Sequence, residues 1–368
     1  MQSLTIGFIG LGLIGGSIAR AIKNTLKESR LIAYSHHDEI DESLLSAKEN
    51  KILDVISTDL SLDFRLCDII FLCAPVMENI RYLERLCPII KPDCLITDVG
   101  SVKSGIMKAS KELHLDKNFI GGHPMAGSEK TGYINSSVHL LENAYYILTP
   151  TPDTPASLLD KLLGMIKIFH AIPITLDQEL HDDFVAAISH IPHIIASALM
   201  HLVEEHSDES GQMLSLAAGG FKDITRIASS SPTMWQNICL TNRDSILKFL
   251  GFYEDSLQTI GSAIAEKDEE ALYEYFDSAK NYRDAIPNRQ NGMLDRTFEL
   301  YLDIIDEAGA IASLATLLAS NGISIKNIGI LHNREFQEGV LRIELYDQTS
   351  CEKASQLFKK HHYTLCER

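Results

Sequence analysis

Apolar residues in the first half of the chain gather in short runs, at 4–9, 31–34, 69–73 and 95–98, with amphipathic stretches at 14–27 and 79–86 between them. Runs apolar on both sides suit strands covered on both faces. Their alternation with helical stretches predicts a parallel sheet wrapped by helices. Two further runs, 119–121 and 145–149, extend the sheet. A Pro-rich stretch at 150–155 leads into a helix over 156–169, and a strand over 173–176 closes the unit. From Gln178 to about Ile286 the pattern changes to a helical period: Val185, Ile188, Ile191, Ile195, Leu199 and Leu202 recur every three to four residues. More helices are predicted over 233–253 and 261–282. An apolar helical unit without a cofactor motif of its own is expected to pack against a second copy.

After a polar, turn-rich linker at 288–292, strand-like alternation returns. Phe298, Leu300, Leu302 and Ile304 alternate with Glu299, Tyr301 and Asp303. A helix over 309–321 ends at Gly322. The strand at 323–331 slips parity across Lys326–Asn327, which predicts a bulge. Leu341, Ile343 and Leu345 mark a third strand, 351–360 a helix and 363–366 a last strand. This strand–helix–strand–strand–helix–strand order is the ferredoxin-like one. Three domains are therefore expected, over 1–176, 177–291 and 296–368.

Composition narrows the functions this frame can serve. The 368 residues carry 50 acidic against 33 basic side chains, a net charge of −17. Such a surface repels nucleic acid phosphates, so an anionic small-molecule substrate needs a local cluster of cations. The seven cysteines are odd in number and include no Cys-x-x-Cys pair, which fits a reducing compartment better than a disulfide framework. Residues 4–9 read as a strand rather than a signal peptide, and no apolar run is expected to span a bilayer. A cytoplasmic enzyme without nucleic acid or membrane partners is the expectation.

Chemistry enters at the strand ends. Gly10-Leu-Gly12-Leu13-Ile14-Gly15 follows a strand and opens a helix. In that setting Gly10 permits the tight turn, Gly12 lets the backbone approach a pyrophosphate, and Gly15 lets helix and strand pack closely. Free helix amides then face the phosphates. The first unit is accordingly expected to be a Rossmann-type dinucleotide-binding domain. About twenty residues on, where a carboxylate usually holds the adenosine ribose, stand Ser35, His36 and His37. NAD is the expected cofactor, with NADP left open. Two further blocks lie past strand ends on the same edge: Asp98-Val-Gly-Ser101-Val-Lys103, and Gly121-Gly-His123-Pro-Met-Ala-Gly-Ser-Glu129. His123 is expected in a loop, as an acid–base group. In the helical unit, Ser189-His190-Ile-Pro192-His193 puts two histidines on one helix face. No third ligand of matching spacing accompanies them, so no metal is expected. Pro192 is expected to free a carbonyl and kink the helix. The block from Gly219 to Trp235 concentrates Lys222, Asp223, Arg226 and the only Trp between two helices. Arg226 either receives a substrate carboxylate or pairs with Asp223 at the surface.

Taken in order, these blocks resemble prephenate dehydrogenases over residues 1 to about 290, and the segment 297–368 is similar to the amino-acid-sensing ACT domain. The resemblance implies oxidation of prephenate: hydride leaves the hydroxyl-bearing carbon for the nicotinamide, carbon dioxide is lost, and 4-hydroxyphenylpyruvate results. It implies that His123 assists deprotonation of the substrate hydroxyl and that Ser101 orients His123 or that hydroxyl. Arg226 would hold a carboxylate and His193 would help place the substrate. Asp223 and Glu129 would support the polar shell, and Trp235 would wall the pocket. Cofactor contacts would come from Gly10, Gly12, Leu13, Ile14, Gly15, Ser35, Ala74 and Pro75. Gly309, Ala310, Ile311 and Asn327 would bind an effector, with L-tyrosine expected, and a homodimer is implied. Arogenate dehydrogenase is the neighbouring alternative. A hydroxyacid dehydrogenase of similar plan is disfavoured, since such enzymes use a helical Lys and lack the His123 block. A non-catalytic dinucleotide-binding sensor is the alternative of a different class.

Overall fold

The computed structural model describes residues 4–36, 40–127, 130–207, 211–286, 298–304, 309–331, 339–361 and 363–366. An eight-stranded sheet organises the N-terminal part: β1 (Thr5–Ile9), β2 (Arg30–Tyr34), β3 (Val55–Ser57), β4 (Ile69–Leu72), β5 (Leu95–Asp98), β6 (Phe119–Pro124), β7 (Tyr145–Thr149) and β8 (Ile172–Thr175). Their spatial order is β3-β2-β1-β4-β5-β6-β7-β8. All neighbours run parallel except β6 and β7. Alternate residues supply two cores. Phe8, Leu31, Ala33 and Phe71 pack with Ile18 and Ile22 of the helix Leu13–Thr25 on one face. Ile32, Ile70, Leu72 and Ile96 pack with Leu83 and Ile106 on the other. Burial on both faces is why these strands read as unbroken apolar runs.

The antiparallel pairing with β7 carries β6 past its predicted end. His123 stands opposite Ile147, so it is a strand residue and not the loop residue expected. Side chains at Gly121 or Gly122 would collide with Thr149 and the Asp98 backbone, which keeps these two positions small beside His123.

Beyond β8 the chain is helical. Gln178–Val185, a π-helical turn at Ala186–His190, and Ile191–His206 follow one another without a break. Pro192 has no N–H for the Ile188 carbonyl, and its ring crowds that carbonyl. The chain widens instead: the Ile191 N–H reaches back five residues to the Ala186 carbonyl. This run of 29 residues, with a mean hydropathy of 1.4 in its most apolar window, is long and apolar enough to cross a membrane by length and composition, against the expectation that no such run exists. The expectation overlooked that scattered polar residues do not lower the average enough. Here His181, Asp182 and His190 are buried and spend their polar atoms on neighbouring elements, as in a helix packed within a protein.

The helix expected over 233–253 is two, Pro232–Thr241 and Arg243–Glu266, broken at Asn242, whose side chain is committed to tertiary hydrogen bonds. The helix expected from residue 261 starts instead at Glu269, after a left-handed Lys267 and an Asp268 cap that accepts from the Ala271 N–H. Gly219–Thr225 is itself a short helix, running into a 3₁₀ turn at Arg226–Ser229, where a connection between helices was expected. Ile188, Leu240, Phe252, Ile264, Tyr273 and Phe276 stay exposed, an apolar surface left open by the single chain.

Chain contacts separate residues 293–368 from 1–292. The second unit pairs β9 (Phe298–Ile304), β10 (Ile325–Leu331), β11 (Gly339–Leu345) and β12 (Leu365–Cys366) in the order β10-β11-β9-β12, all antiparallel. Helices Ala310–Ser320 and Gln348–Lys360 bury Leu314, Leu318, Ala354 and Phe358 against Leu302, Leu341 and Ile343. The register shifts between Ile325 and Asn327, where the apolar parity slips.

Candidate active site at the sheet edge

Gly10 turns with φ +88, and a Cβ there would meet the backbone of Cys73 and Ala74 within 2.8 Å. A Cβ on Gly15 would meet the Gly10 carbonyl at 2.5 Å, whereas nothing lies within 4 Å of one on Gly12. The turn is therefore tight below and open above. Gly12 caps the helix Leu13–Thr25 without any side-chain bond to its amides. Leu13 and Ile14 begin that helix, so its first turn offers unshared N–H groups and a positive dipole end, a fit for a pyrophosphate. Facing it, the Ala74 N–H donates to Asn79 Oδ1 and Pro75 caps the helix Val76–Leu86. Asn79 is buried and also donates to the Leu72 carbonyl, which shapes this loop. Ser35 departs from its expected setting: it is only 2% exposed, its N–H bonded to the Ser57 carbonyl. His36 beside it is the exposed residue.

At the ends of β5 and β6 a buried polar network replaces the apolar core. Asp98 and Lys103 form an ion pair with no exposure. Asp98 also accepts from the N–H groups of Gly100 and Gly122, tying the loop after β5 to the residue before His123. Burial pushes the Lys103 ammonium below its ordinary value although Asp98 opposes this. Ser101 lies partly exposed in the same loop. His123 turns its Nδ1 toward His181 Nε2 at 2.8 Å. His181 Nδ1 meets Asp182 Oδ1, also at 2.8 Å. Asp182 accepts from the backbone N–H groups of Lys103 and Ser104 at 2.8 Å each. Burial, reinforced by His181, Lys103 and His190, holds His123 well below the usual histidine range, so it is neutral at pH 7.

The network continues into the helical segment. Asn242 donates from its amide to the Asp182 carbonyl at 2.9 Å and toward His190 Nδ1 at 3.1 Å. Burial pushes His190 down to about 4, against the pull of Asp182. The His190 ring meets the edge of Trp235, and His193 stacks on Trp235 with centroids 3.9 Å apart. His193 Nδ1 donates to the Ser189 carbonyl, so its Nε2 is the atom left for a ligand. The structure thus joins His123, His193 and Trp235 through His181, Asp182, Asn242 and His190. The sequence motifs singled out none of His181, Asp182 and Asn242. One signal for His181 existed: it lies four residues before Val185, on the helix's own apolar stripe, where a polar residue needs a buried partner.

Arg226 and Asp223 are exposed, on a short helix and turn packed against Ile191–His206. Glu129 lies outside the described residues. Among the described residues no group of three metal-ligating side chains occurs. In the second unit Gly309, at φ +98, caps the helix that Ala310 and Ile311 begin, and a Cβ on it would meet open space. Asn327 follows the β10 bulge.

Two family models cover most of this first unit: "Prephenate dehydrogenase, nucleotide-binding domain" matches residues 18–172, and "Prephenate dehydrogenase, dimerization domain" matches 177–278. The prephenate dehydrogenase of Bacillus subtilis is 38% identical over 354 residues, 96% of this chain and 95% of the relative. The chain belongs to the prephenate dehydrogenase family. Its members are enzymes, and the Bacillus alignment is long enough to run through most of the second unit. The Aquifex aeolicus prephenate dehydrogenase, solved with hydroxyphenyl propionate and NAD+, is 32% identical with a TM-score of 0.73, covering 78% of this chain and 99% of its own. Synechocystis arogenate dehydrogenase is 31% identical with a TM-score of 0.67, over 76% of this chain and 99% of its own.

Proposed function

We propose that the chain catalyses oxidative decarboxylation of prephenate to 4-hydroxyphenylpyruvate with NAD+, in tyrosine biosynthesis, as a cytoplasmic homodimer. The observation that carries this is the buried network at His123, near the end of β6 in the same sheet whose β1 runs into the Gly10–Gly15 turn, and linked to the helical segment that bears His193 and Trp235. The Aquifex relative's NAD+ and substrate-like ligand support the cofactor and substrate class. The domains then serve as a dinucleotide-binding unit at 1–176, a substrate and dimerisation unit at 177–291, and an ACT regulatory unit at 296–368 that binds L-tyrosine and inhibits.

Gly10, Gly12, Leu13, Ile14 and Gly15, with Ala74 and Pro75 opposite, would hold the dinucleotide. The nicotinamide, when bound, accepts the hydride from the hydroxyl-bearing carbon. His123 takes the hydroxyl proton, a task suited to a base that is neutral at pH 7. Ser101 orients the hydroxyl. Arg226 receives a substrate carboxylate, with Asp223 and Glu129 in the surrounding polar shell, and His193 and Trp235 bound the ring. Loss of carbon dioxide aromatises the ring, and the proton returns from His123 to the phenolic oxygen. Ser35 and the exposed His36 beside it are the candidates for the ribose contact, and NADP is the second cofactor to test.

Arogenate, with an amino group in place of the side-chain keto group, is the second substrate reading, favoured by the likeness to the Synechocystis enzyme. An absorbance assay of NAD+ and NADP+ reduction with each substrate, with and without tyrosine, tests all of this. Turnover of prephenate with NAD+ is expected to dominate. Cofactor binding without turnover of either substrate would support a sensor instead.

A further inference from the structure

A base at His123, the reading on which this inference rests, needs one bare ring nitrogen, and its neighbours decide which one that is. Backbone N–H groups only donate, so the contacts of Lys103 and Ser104 make both Asp182 oxygens acceptors. Burial works against charge on Asp182, but the hydrogen bonds from His181, Ser104 and Lys103 outweigh it and hold the carboxyl below its ordinary value. An ionised Asp182 obliges His181 Nδ1 to carry the proton in their 2.8 Å contact. In the neutral ring Nε2 is then bare and accepts only. Its 2.8 Å partner, His123 Nδ1, must therefore donate, and this leaves His123 Nε2 without a proton.

We propose that Asp182 and His181 are positioning residues that fix His123 as the Nδ1–H tautomer, presenting a bare Nε2 to the substrate hydroxyl, and that share the positive charge when Nε2 is protonated. The step balances within the protein. The hydroxyl O–H bond breaks as the Nε2–H bond forms on His123. The His123 Nδ1–H proton can then cross to His181 Nε2, placing the cation next to Asp182, and it returns when His123 gives up its proton. The other titratable groups facing His123 are Lys103 and His190, with Asp98 paired to Lys103. Both of the first two disfavour a cation on His123, so the link to Asp182 is the arrangement that offsets them. A donor in place of the Asp182 carboxylate oxygen would flip both tautomers, as happens when the acid behind a catalytic histidine is replaced.

The test uses the full-length protein. Nitrogen-15 spectra of histidine-labelled enzyme at pH 7.5, with the His123 signals assigned by their loss in His123→Asn, are expected to show a pyrrole-type Nδ1 and a pyridine-type Nε2. The opposite tautomer overturns the proposal, and this measurement needs no variant of His181 to fold. Kinetics supply the second arm. His181→Leu is expected to lower kcat with prephenate and NAD+ by at least about tenfold, with both KM values little changed. His181→Gln, whose amide oxygen reaches the place of Nε2 and accepts from Nδ1–H, is expected to recover most of that loss. Equal losses in the two variants, or an unchanged kcat in His181→Leu, overturn the proposal while leaving His123 as the base. An unchanged kcat in His123→Asn would instead remove the reading beneath it.

Discussion

At the sheet edge Asp98, Lys103 and His181 are fully buried and Asp182 is 2% exposed, whereas Arg226 and Asp223 stand exposed on a short helix in the region matched as a dimerization domain. The first group has its hydrogen bonds in place in one chain, and each member is held by at least one backbone or ionic partner. Preorganised groups of this kind cost no rearrangement at the moment of reaction. Side chains of the second group lie at the surface of the single chain, open to a substrate or to a second copy. On the proposed roles, the proton-handling groups are set within the buried network, whereas the carboxylate-binding group stands at the surface.

Substitutions on the two sides should therefore fail differently. His123→Asn is expected to lower kcat by roughly 10²–10⁴-fold with prephenate binding little changed; near wild-type turnover would take His123 out of the chemistry. In the wild type, the base must be unprotonated to act. Since His123 is held well below the usual histidine range, kcat/KM should stay level as pH falls through about 6.5 and drop only in more acid solution. A fall centred at the ordinary histidine value would contradict the buried network.

Lys103→Met leaves Asp98 buried without its partner, and is expected to cost about 3–5 kcal/mol of stability, read from denaturant midpoints. If stability is unchanged, the ion pair does not hold the loop after β5. On the exposed side, Arg226→Ala should leave stability within about 0.5 kcal/mol and raise the KM for prephenate more than it lowers kcat. An unchanged KM in a folded protein would reassign Arg226 to the surface. Tyrosine inhibition, with a coupling of about 1–3 kcal/mol, should disappear on truncation after Asn291. Equal inhibition of the truncated, active enzyme would place tyrosine in the prephenate site. Gly309→Asp is a harsher variant, because Gly309 sits at φ +98, where an L side chain is strained; its folding must be checked first.

Much of the fold could be read from local pattern. Strands buried on both faces announce themselves as apolar runs, and the ferredoxin-like order of the second unit emerges from alternation and its parity slip. Val55–Ser57 was missed because three residues carry no period, and the helices Glu42–Glu49 and Ser104–Glu112 because their apolar stripes are short. The break at Asn242 left no local sign, since what stops the helix is a bond to a carbonyl sixty residues away. The same holds for the site. Gly10, Gly15 and His123 stand at strand ends that sequence can locate. His181 and Asp182 act through partners on β6 and on the loop after β5, and only the tertiary fold brings those together.

The π-helical turn at Ala186–His190 holds one residue more than a regular turn would need. A helix advances about 100° per residue, so that extra residue sets the rotational phase between His181 before it and His193 after it. Trimming one residue from the turn would give a more regular helix, yet it would swing one histidine away from the face its partner shares. Length in this short stretch is thus constrained apart from composition: even with His190 and every other side chain kept, an insertion or deletion would turn the two arms of the site out of phase.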